Sequence, residues 1–306
     1  MILRVVKRFC WKRLTSSILR NISTLTTDEV ILDKIGNKGI VTLNRPKALN
    51  ALSMTMIRKI LNQMKGAGLS VHGHFRVATE RTVFAMPEAA IGFFASVGGS
   101  HFLPRLQGKL GLYLALTGCR LTGHDVVKAG VATHFVDSGR INTIEEKLLK
   151  MESPSFQEID KLLCKNQEQS PIKDGDLSFQ LLLSKINTQF DGGSLNAIIE
   201  NLRRDKSEWA NQHLQTLFKM SPTSLKIIFH QLELGKNMSL QECLKMEYRI
   251  SQRVMKNQDF FEGVRAFLID KDNKPMWMPA TVEEVSDNVL KSYFAALPKD
   301  KELVFF

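Results

Sequence analysis

The sequence predicts an α/β fold that is followed by a largely helical region. Up to about Val136, short apolar segments alternate with amphipathic ones, and this alternation of strands and helices is typical of α/β proteins. From Ile141 onward, amphipathic segments with helical spacing follow one another. The 306 residues are 43% hydrophobic and 24% charged, so the composition is that of an ordinary globular protein.

The first elements are a hairpin and a helix. Alternating apolar residues at 30–44 flank the turn Gly36-Asn37-Lys38-Gly39, which predicts a β-hairpin that stops at Arg45-Pro46. Ser53–Met64 then has apolar residues at helical spacing, with Ser53 as its N-cap.

Further strands and helices alternate up to Val136. Thr82–Ala85 is predicted to be a short buried strand, and a helix carrying Phe102 and Leu103 follows it. A second helix is predicted at Lys109–Leu116. Thr122 is the predicted cap of a helix over Gly123–Ala129, and the next predicted strand is 132–136.

The C-terminal helices are predicted from amphipathic spacing. They cover Ile144–Lys150, Ser155–Cys164, Leu177–Phe190, Ser194–Arg203, Glu208–Met220, a helix restarted at Ser221, Leu240–Met255 and Ser286–Ala296.

The N-terminal segment carries much of the net charge of +11. Residues 1–27 include six basic residues and no acidic one, and Leu3, Val6, Cys10 and Leu14 would share one face of a helix. This pattern predicts a mitochondrial transit peptide over 1–27 and therefore a matrix location. A disordered basic tail or a helix on a membrane surface would carry the same charges.

The rest of the composition excludes several classes of site. The four cysteines are scattered without CxxC spacing, which argues against a zinc site and a disulfide framework. No apolar run is long enough to span a membrane, and basic clusters lack interleaved aromatic residues. We therefore expect no nucleic-acid or membrane partner, whereas an anionic small ligand would suit the positive charge.

Glu88 is the most prominent candidate for a catalytic residue. It is the sole carboxylate in the apolar, glycine-rich run 82–103. Burial would raise its pKa toward the range that suits proton transfer. Alternatively, it is a carboxylate near the start of a helix that local N–H groups stabilise.

Four groups of residues resemble the crotonase superfamily and, within it, the 3-hydroxyisobutyryl-CoA hydrolases. They are Val41–Leu52, Gly68–Gly73 with Arg76–Glu80, Phe84–Leu106, and a C-terminal set made of Ser221–Lys226, Met246–Arg249 and Asp259–Asp272. The last set is specific to the hydrolase branch. The resemblance extends from about residue 28 to the C-terminus and has one internal gap.

The resemblance implies a fold, an activity and a ligand. The fold would be a crotonase-like spiral of ββα units over residues 28–140, missing an internal segment after residue 65, with the helical region of the hydrolases at 141–306. The activity would be hydrolysis of 3-hydroxyisobutyryl-CoA to free acid and CoA in valine breakdown, with Glu88 as nucleophile or general base. No cofactor or metal is implied because coenzyme A belongs to the substrate, and an oligomer is possible.

The gap lies at Lys65-Gly66, where related enzymes carry a block with the first oxyanion-hole loop. Gly66 and Gly68 either supply an oxyanion N–H group or serve as loop glycines with free φ. A second departure is Ser96, which occupies a position where the resemblance predicts an active-site aspartate. We expect Ser96 to contact the substrate, and Gly98 and Gly99 to be packing and turn glycines.

Two other functions remain open at this point. The missing loop and Ser96 are also compatible with a splice form or pseudoenzyme that at most binds acyl-CoA or a protein partner. Hydration of an enoyl-CoA is a third hypothesis, but it typically uses two glutamates, and Gly68-Leu69-Ser70 offers no acid.

Overall fold

The computed structural model describes residues 2–5, 29–35, 38–43, 70–170 and 176–305. The chain forms two compact units. One contains residues 1–73 and 139–164, and the other contains residues 74–138 and 165–306. In chain order, the helices are α1 Gly99–Phe102, α2 Leu110–Thr117, α3 His124–Lys128, α4 Ile141–Lys150, α5 Phe156–Glu168, α6 Asp176–Gln189, α7 Leu195–Asp205, α8 Glu208–Lys219, α9 Pro222–Gly235, α10 Leu240–Val254, α11 Gln258–Val264 and α12 Asp287–Phe294.

The first unit contains a three-stranded sheet. Strands β2 (Val30–Ile35) and β3 (Lys38–Leu43) are antiparallel, as expected for the predicted hairpin, and Ile35 pairs with Lys38. Strand β1 (Ile2–Val5) pairs in parallel with the other edge of β3. The prediction of an amphipathic helix is therefore wrong at residues 2–5. The backbone groups of these residues are satisfied by pairing with β3, and the spacing of apolar residues within one segment does not reveal such a partner. The rest of the predicted transit peptide and the helix Ser53–Met64 lie outside the described residues.

The second unit contains two pairs of very short strands. Strands β4 (Val77–Ala78) and β7 (His134–Phe135) are parallel, whereas β5 (Val83–Phe84) and β6 (Leu121–Thr122) are antiparallel. The predicted strand at Thr82–Ala85 exists as β5, but Val83 is 50% exposed, so the strand is not buried.

Thr122 does not cap a helix, and that prediction is wrong. Thr122 lies in β6, Gly123 occupies the N-cap position of α3, and no side chain caps this helix. The backbone at Gly123 has φ 53° and ψ −119°, a conformation that suits glycine, so the turn from strand to helix falls one residue later than predicted.

The core of the second unit surrounds α2. Every residue of this helix is buried, which is why its sequence is apolar on all sides. Helix α9 packs against both α1 and α2. A Cβ atom on Gly111 would lie 1.9 Å from the carbonyl oxygen of Leu103, so a glycine at this position allows α2 to approach the segment that follows α1.

The helical C-terminal region confirms the predicted helices, including the one that restarts at Ser221. The side chains of Ser194, Ser207, Ser221, Ser239 and Ser286 each accept a backbone N–H at the start of a helix. Helix α11 and the π-helical turn Arg265–Ile269 that extends it were not predicted as separate elements. Among the described helices, none combines the length and apolar character that crossing a membrane requires.

Candidate active site

Glu88 begins a short 3₁₀ turn, Glu88–Ile91, that directly follows Pro87 and starts four residues after the last residue of β5. The turn ends at Gly92, whose φ is 68°, and the N–H of Phe93 donates to the carbonyl oxygen of Glu88 over 3.0 Å. The carbonyl oxygen of Ala89 accepts the N–H of Ser221 over 3.2 Å. Both ends of the turn are therefore fixed to the backbone around it.

Two glycines let helix α11 lie directly on this turn. A Cβ atom on Gly92 would lie 2.3 Å from the carbonyl oxygen of Asp259, and one on Gly263 would lie 2.4 Å from the backbone of Ile91. No larger residue fits at either point without moving the backbone. The contact between α11 and the turn thus sets the position of Glu88.

The carboxyl group of Glu88 has one oxygen sealed from solvent. Its Oε2 is fully buried and accepts no hydrogen bond from the described residues, although the residue as a whole is only half-buried. Burial is the main cause that raises the pKa of Glu88 to about 7, and the negative charge of Glu247 raises this pKa further. The backbone N–H of Glu88 lowers the pKa, but burial outweighs it. The local N–H interaction that was considered as an alternative thus exists, yet it does not keep the group a permanent carboxylate.

The second acid of the site, Glu247, comes from helix α10 and was not predicted. Its Oε2 accepts the N–H of Gly98 over 2.8 Å, and its Oε1 accepts the N–H of Ser100 over 2.9 Å. Burial raises the pKa of Glu247, and these two N–H groups lower it. The Ser100 hydroxyl also lowers this pKa, although its Oγ does not reach hydrogen-bonding geometry. Burial has the larger effect, so the pKa of Glu247 is raised overall, but both of its oxygens accept backbone N–H groups, whereas Oε2 of Glu88 accepts none from the described residues.

The turn that Glu247 holds has an unusual backbone. Val97 has φ 61° and Gly98 has φ 79°, so two consecutive residues are left-handed, and the first of them is β-branched. The carbonyl oxygen of Ala95, just before the turn, accepts the side-chain amide of Gln231 over 2.6 Å. The turn is thus held from both α9 and α10.

The glycines of this turn serve the structure. The N–H of Gly98 donates to Glu247, and the N–H of Gly99 donates to the carbonyl oxygen of Ser96 over 3.1 Å. A Cβ atom on Gly99 would lie 3.2 Å from Cβ of Ala95. The prediction that Gly98 and Gly99 are packing and turn glycines is confirmed, and their N–H groups are already used.

Ser96 lies at the start of this turn and is half-buried. A serine hydroxyl cannot carry the negative charge of the aspartate that the resemblance predicts there. Gly66 and Gly68, the other two predicted substrate-binding residues, lie outside the described residues. The described part of the site therefore consists of Glu88 and the turn that contains Ser96, and the carboxylate of Glu247 joins helix α10 to that turn.

A third buried carboxylate, Asp259, supports α11. It accepts the hydroxyl of Ser221 over 2.5 Å and the N–H of Met278 over 2.9 Å, and burial raises its pKa. It joins the start of α9 to α11, and so it holds in place the helix on which the turn of Glu88 rests. Farther along, Asp270 and Asp272 both accept Arg265 Nη1 over 2.7 Å.

A sequence signal for Glu247 does exist. Its neighbours on the apolar face of α10 are Cys243, Met246, Ile250 and Val254, all of them buried. A carboxylate on such a face must meet hydrogen-bond donors or a cation. The donors belong to a turn 147 and 149 residues earlier in the chain, which the sequence alone does not connect to α10.

Comparison with known families gives one match over most of the chain. Residues 65–294 match the family described as enoyl-CoA hydratase/isomerase. The match begins at residue 65, where the gap in the resemblance was predicted.

Several similar proteins come from vertebrates. A protein from Danio rerio named "3-hydroxyisobutyryl-CoA hydrolase, mitochondrial" is 43% identical over 350 aligned positions, which cover 90% of this chain and 91% of that protein. A protein of the same name from Homo sapiens is 42% identical over 373 positions, covering 96% of each chain. Both alignments are longer than the 306 residues of this chain, so the relatives contain internal residues that have no counterpart here.

Solved structures give the same fold. A carnitinyl-CoA dehydratase from Mycobacterium thermoresistibile superposes with a TM-score of 0.78 at 27% identity, covering 91% of this chain and 99% of that one. An enoyl-CoA hydratase from Rhodobacter sphaeroides 2.4.1 superposes with a TM-score of 0.76 at 25% identity, covering 91% of this chain and all of that one. The predicted α/β fold of the crotonase type with a helical C-terminal region is confirmed.

Proposed function

This chain belongs to the enoyl-CoA hydratase/isomerase family, and on that premise we propose that it hydrolyses 3-hydroxyisobutyryl-CoA to 3-hydroxyisobutyrate and CoA. The observation that carries the proposal is the carboxyl group of Glu88, which has one sealed oxygen and a pKa of about 7. The printed names of the relatives supply the substrate, and an acyl-CoA is the ligand class that family membership supports.

Thioester hydrolysis needs a group that takes up a proton near neutral pH. When ionised, Glu88 accepts a proton from water as the water oxygen bonds to the acyl carbon. The C–S bond then breaks, and the proton passes to the departing CoA sulfur, which leaves the free acid and the thiol. A carboxyl group with a pKa of about 7 is suited to both transfers, whereas a carboxyl group at its ordinary pKa would be a weak base.

The oxyanion that forms on the acyl carbonyl requires N–H donors. The N–H groups of Gly98, Gly99 and Ser100 are already bound to Glu247 and Ser96, so they are not available. We therefore assign this role to the backbone N–H groups at Gly66 or Gly68, as the resemblance implies. The hydroxyl of Ser96 is assigned to the substrate, where it replaces the charge of an aspartate by a neutral hydrogen-bonding group.

A mitochondrial location is part of the proposal. The relatives are named as mitochondrial enzymes, and residues 1–27 of this chain are basic and free of acids. We place the enzyme in the matrix on the basis of that segment. The alternative of a pseudoenzyme is not favoured, because identity above 40% extends over about nine-tenths of the chain.

Glu88→Gln tests the proposal directly. The amide keeps the shape of the side chain but cannot take up a proton, so we expect the release of CoA thiol from 3-hydroxyisobutyryl-CoA to fall by at least about 100-fold. Glu233→Gln is the matched control, since Glu233 is an exposed residue that pairs with Lys236 on α9, and its rate should equal that of the parent chain. Equal rates for the parent and Glu88→Gln would refute the role of Glu88. An inactive parent chain would refute the hydrolase function and leave the pseudoenzyme.

A further inference from the structure

Glu247 links a C-terminal helix to the turn that follows Glu88. It is 4% exposed, and each of its two oxygens accepts one N–H from a different residue of the turn. Helix α10, on which it lies, is itself firmly anchored. Ser239 and Glu242 form a capping box at its start, and Arg249 pairs with Glu302 over 2.8 Å farther along. Glu247 therefore presents its carboxylate from a rigid element.

The turn at Ser96–Ser100 needs such support. Val97 is a β-branched residue with φ 61°, and residues of this kind adopt left-handed conformations only where the surroundings impose them. Val97 itself is 45% exposed, so packing of its own side chain cannot be the main constraint. The carboxylate of Glu247 binds the N–H groups on both sides of Gly99, and this requires the chain to turn back on itself at Val97 and Gly98.

We propose that Glu247 is a positioning residue for the hydrolysis, holding the strained turn Ser96–Ser100 in a fixed place relative to Glu88 through the N–H groups of Gly98 and Ser100. The contribution of Glu247 to catalysis rests on the proposed function, whereas its contact with the turn does not. Glu247 acts through the turn, and Glu88 remains the group that moves the proton.

The charges around Glu88 support this assignment. The elements that pack against the turn of Glu88 are α2, α9 and α11, and their ionisable groups are Tyr113, Lys226, His230, Glu233, Asp259 and Glu262. Asp259 is bound by Ser221 and Met278, Glu262 by Arg265, and Lys226 by the carbonyl oxygen of Val285. The negative charge that raises the pKa of Glu88 comes from none of these groups but from Glu247 on α10.

Glu247→Gln is the first test. The amide has one acceptor oxygen, so one of the two N–H groups would meet an NH₂ group instead, and the negative charge is lost. We expect kcat to fall by about 10- to 100-fold with little change in KM, because the geometry of the site is disturbed rather than substrate affinity. We also expect the midpoint of the pH–rate profile to move down from about 7.

Glu242→Gln is the matched control. Glu242 lies on the same helix, is exposed and accepts N–H only within the capping box at Ser239. It should weaken α10 without changing the midpoint of the pH profile. If both variants lose activity only in proportion to their unfolded fraction, Glu247 has a purely structural role and the proposal is overturned.

Val97→Gly keeps the proposal testable if Glu247→Gln folds poorly. Glycine adopts a positive φ without strain, so the turn needs less support. The double variant Val97→Gly, Glu247→Gln should recover part of the lost kcat. No recovery in a folded double variant would contradict the positioning role.

Amide hydrogen exchange separates this inference from the proposed function. In the parent chain, the amides of Gly98 and Ser100 should exchange slowly, and in Glu247→Gln at least about tenfold faster. A parent chain without thiol release would defeat the hydrolase proposal, yet faster exchange in the variant would still support Glu247 as the holder of the turn. Unchanged exchange at both amides would overturn the inference even in an active enzyme.

Discussion

At the scale of single residues, the site depends on two carboxyl groups that the fold treats differently. Glu88 has an oxygen that is buried and accepts no hydrogen bond from the described residues, whereas both oxygens of Glu247 accept backbone N–H groups. Water is removed from both acids, but Glu247 receives a backbone donor at each oxygen, whereas Oε2 of Glu88 receives none from the described residues. Burial therefore raises the pKa of Glu88 to about 7, so the group exchanges a proton near neutral pH, as the role proposed for it requires.

The raised pKa of Glu88 predicts a dependence of stability on pH. Folding raises this pKa from an ordinary value near 4.5 to about 7, so the contribution of Glu88 to stability is fully present below pH 4.5 and is lost as the pH rises through 7. Glu88→Gln does not titrate. We therefore expect its free energy of unfolding, relative to the parent chain, to increase by about 3 kcal/mol between pH 4.5 and pH 8.

Urea unfolding of the two chains at pH 4.5 and pH 8 measures this difference. The matched control is Glu233→Gln, whose difference from the parent chain should be the same at both pH values. If the difference between Glu88→Gln and the parent chain does not change with pH, the carboxyl group is not desolvated in the folded protein.

At the scale of elements, the turn of Glu88 depends on helix α11. Gly92 has φ 68°, and a Cβ atom there would lie 2.3 Å from the carbonyl oxygen of Asp259. Gly92→Ala combines a strained backbone with a clash against main-chain atoms that cannot rotate away. We expect it to destabilise the protein by at least about 3 kcal/mol and to abolish thiol release.

Gly193→Ala provides the comparison for Gly92→Ala. Nothing lies within 4 Å of a Cβ atom at Gly193, so the free energy of unfolding should change by less than about 1 kcal/mol. The measurement is again urea unfolding. Equal effects of the two substitutions would show that α11 does not rest on the turn of Glu88.

Elements that are determined by residues close together in the sequence could be predicted from it. The C-terminal helices have apolar faces and serine caps within a few residues of each other, and the structure has them at the predicted places. The strands of the second unit are only two residues long, so their pairing, and not their composition, defines them. Thr122 was wrongly predicted to cap a helix because its role in β6 depends on Val83, 39 positions earlier in the chain.

In the candidate site, too, only the features with a local cause could be predicted from the sequence. Glu88 stood out because it is the one acid in an apolar run, which is a local property. Glu247 could not be connected to it, since the link is made by N–H groups of a turn that is 147 to 149 residues away. Long-range hydrogen bonds of this kind follow from the fold and not from any pattern within one segment.

At the scale of the whole molecule, the relatives differ from this chain by internal residues. Alignment over 350 positions exceeds the 306 residues available, and the family match starts at residue 65. The resemblance places a strand and the first oxyanion-hole loop in the absent segment. In the turn Ser96–Ser100, the N–H groups of Gly98 and Ser100 are bound to Glu247 and that of Gly99 is bound to Ser96. These N–H groups therefore cannot replace the donor of the absent loop.

Restoring the segment should therefore increase the rate. A chimera that carries the corresponding residues of the Danio rerio relative between Lys65 and Gly66 would gain a donor for the oxyanion, and one such donor typically changes kcat by about 10²- to 10³-fold. We expect a rise of that size in thiol release, with Glu88 still required. The measurement is kcat for 3-hydroxyisobutyryl-CoA in the chimera, in the chimera with Glu88→Gln, and in the parent chain. A control chain with a glycine–serine linker of the same length at the same junction should show no rise, because a linker supplies length without an ordered donor. If the linker and the native segment had equal effects, the absent oxyanion donor would not be what limits kcat.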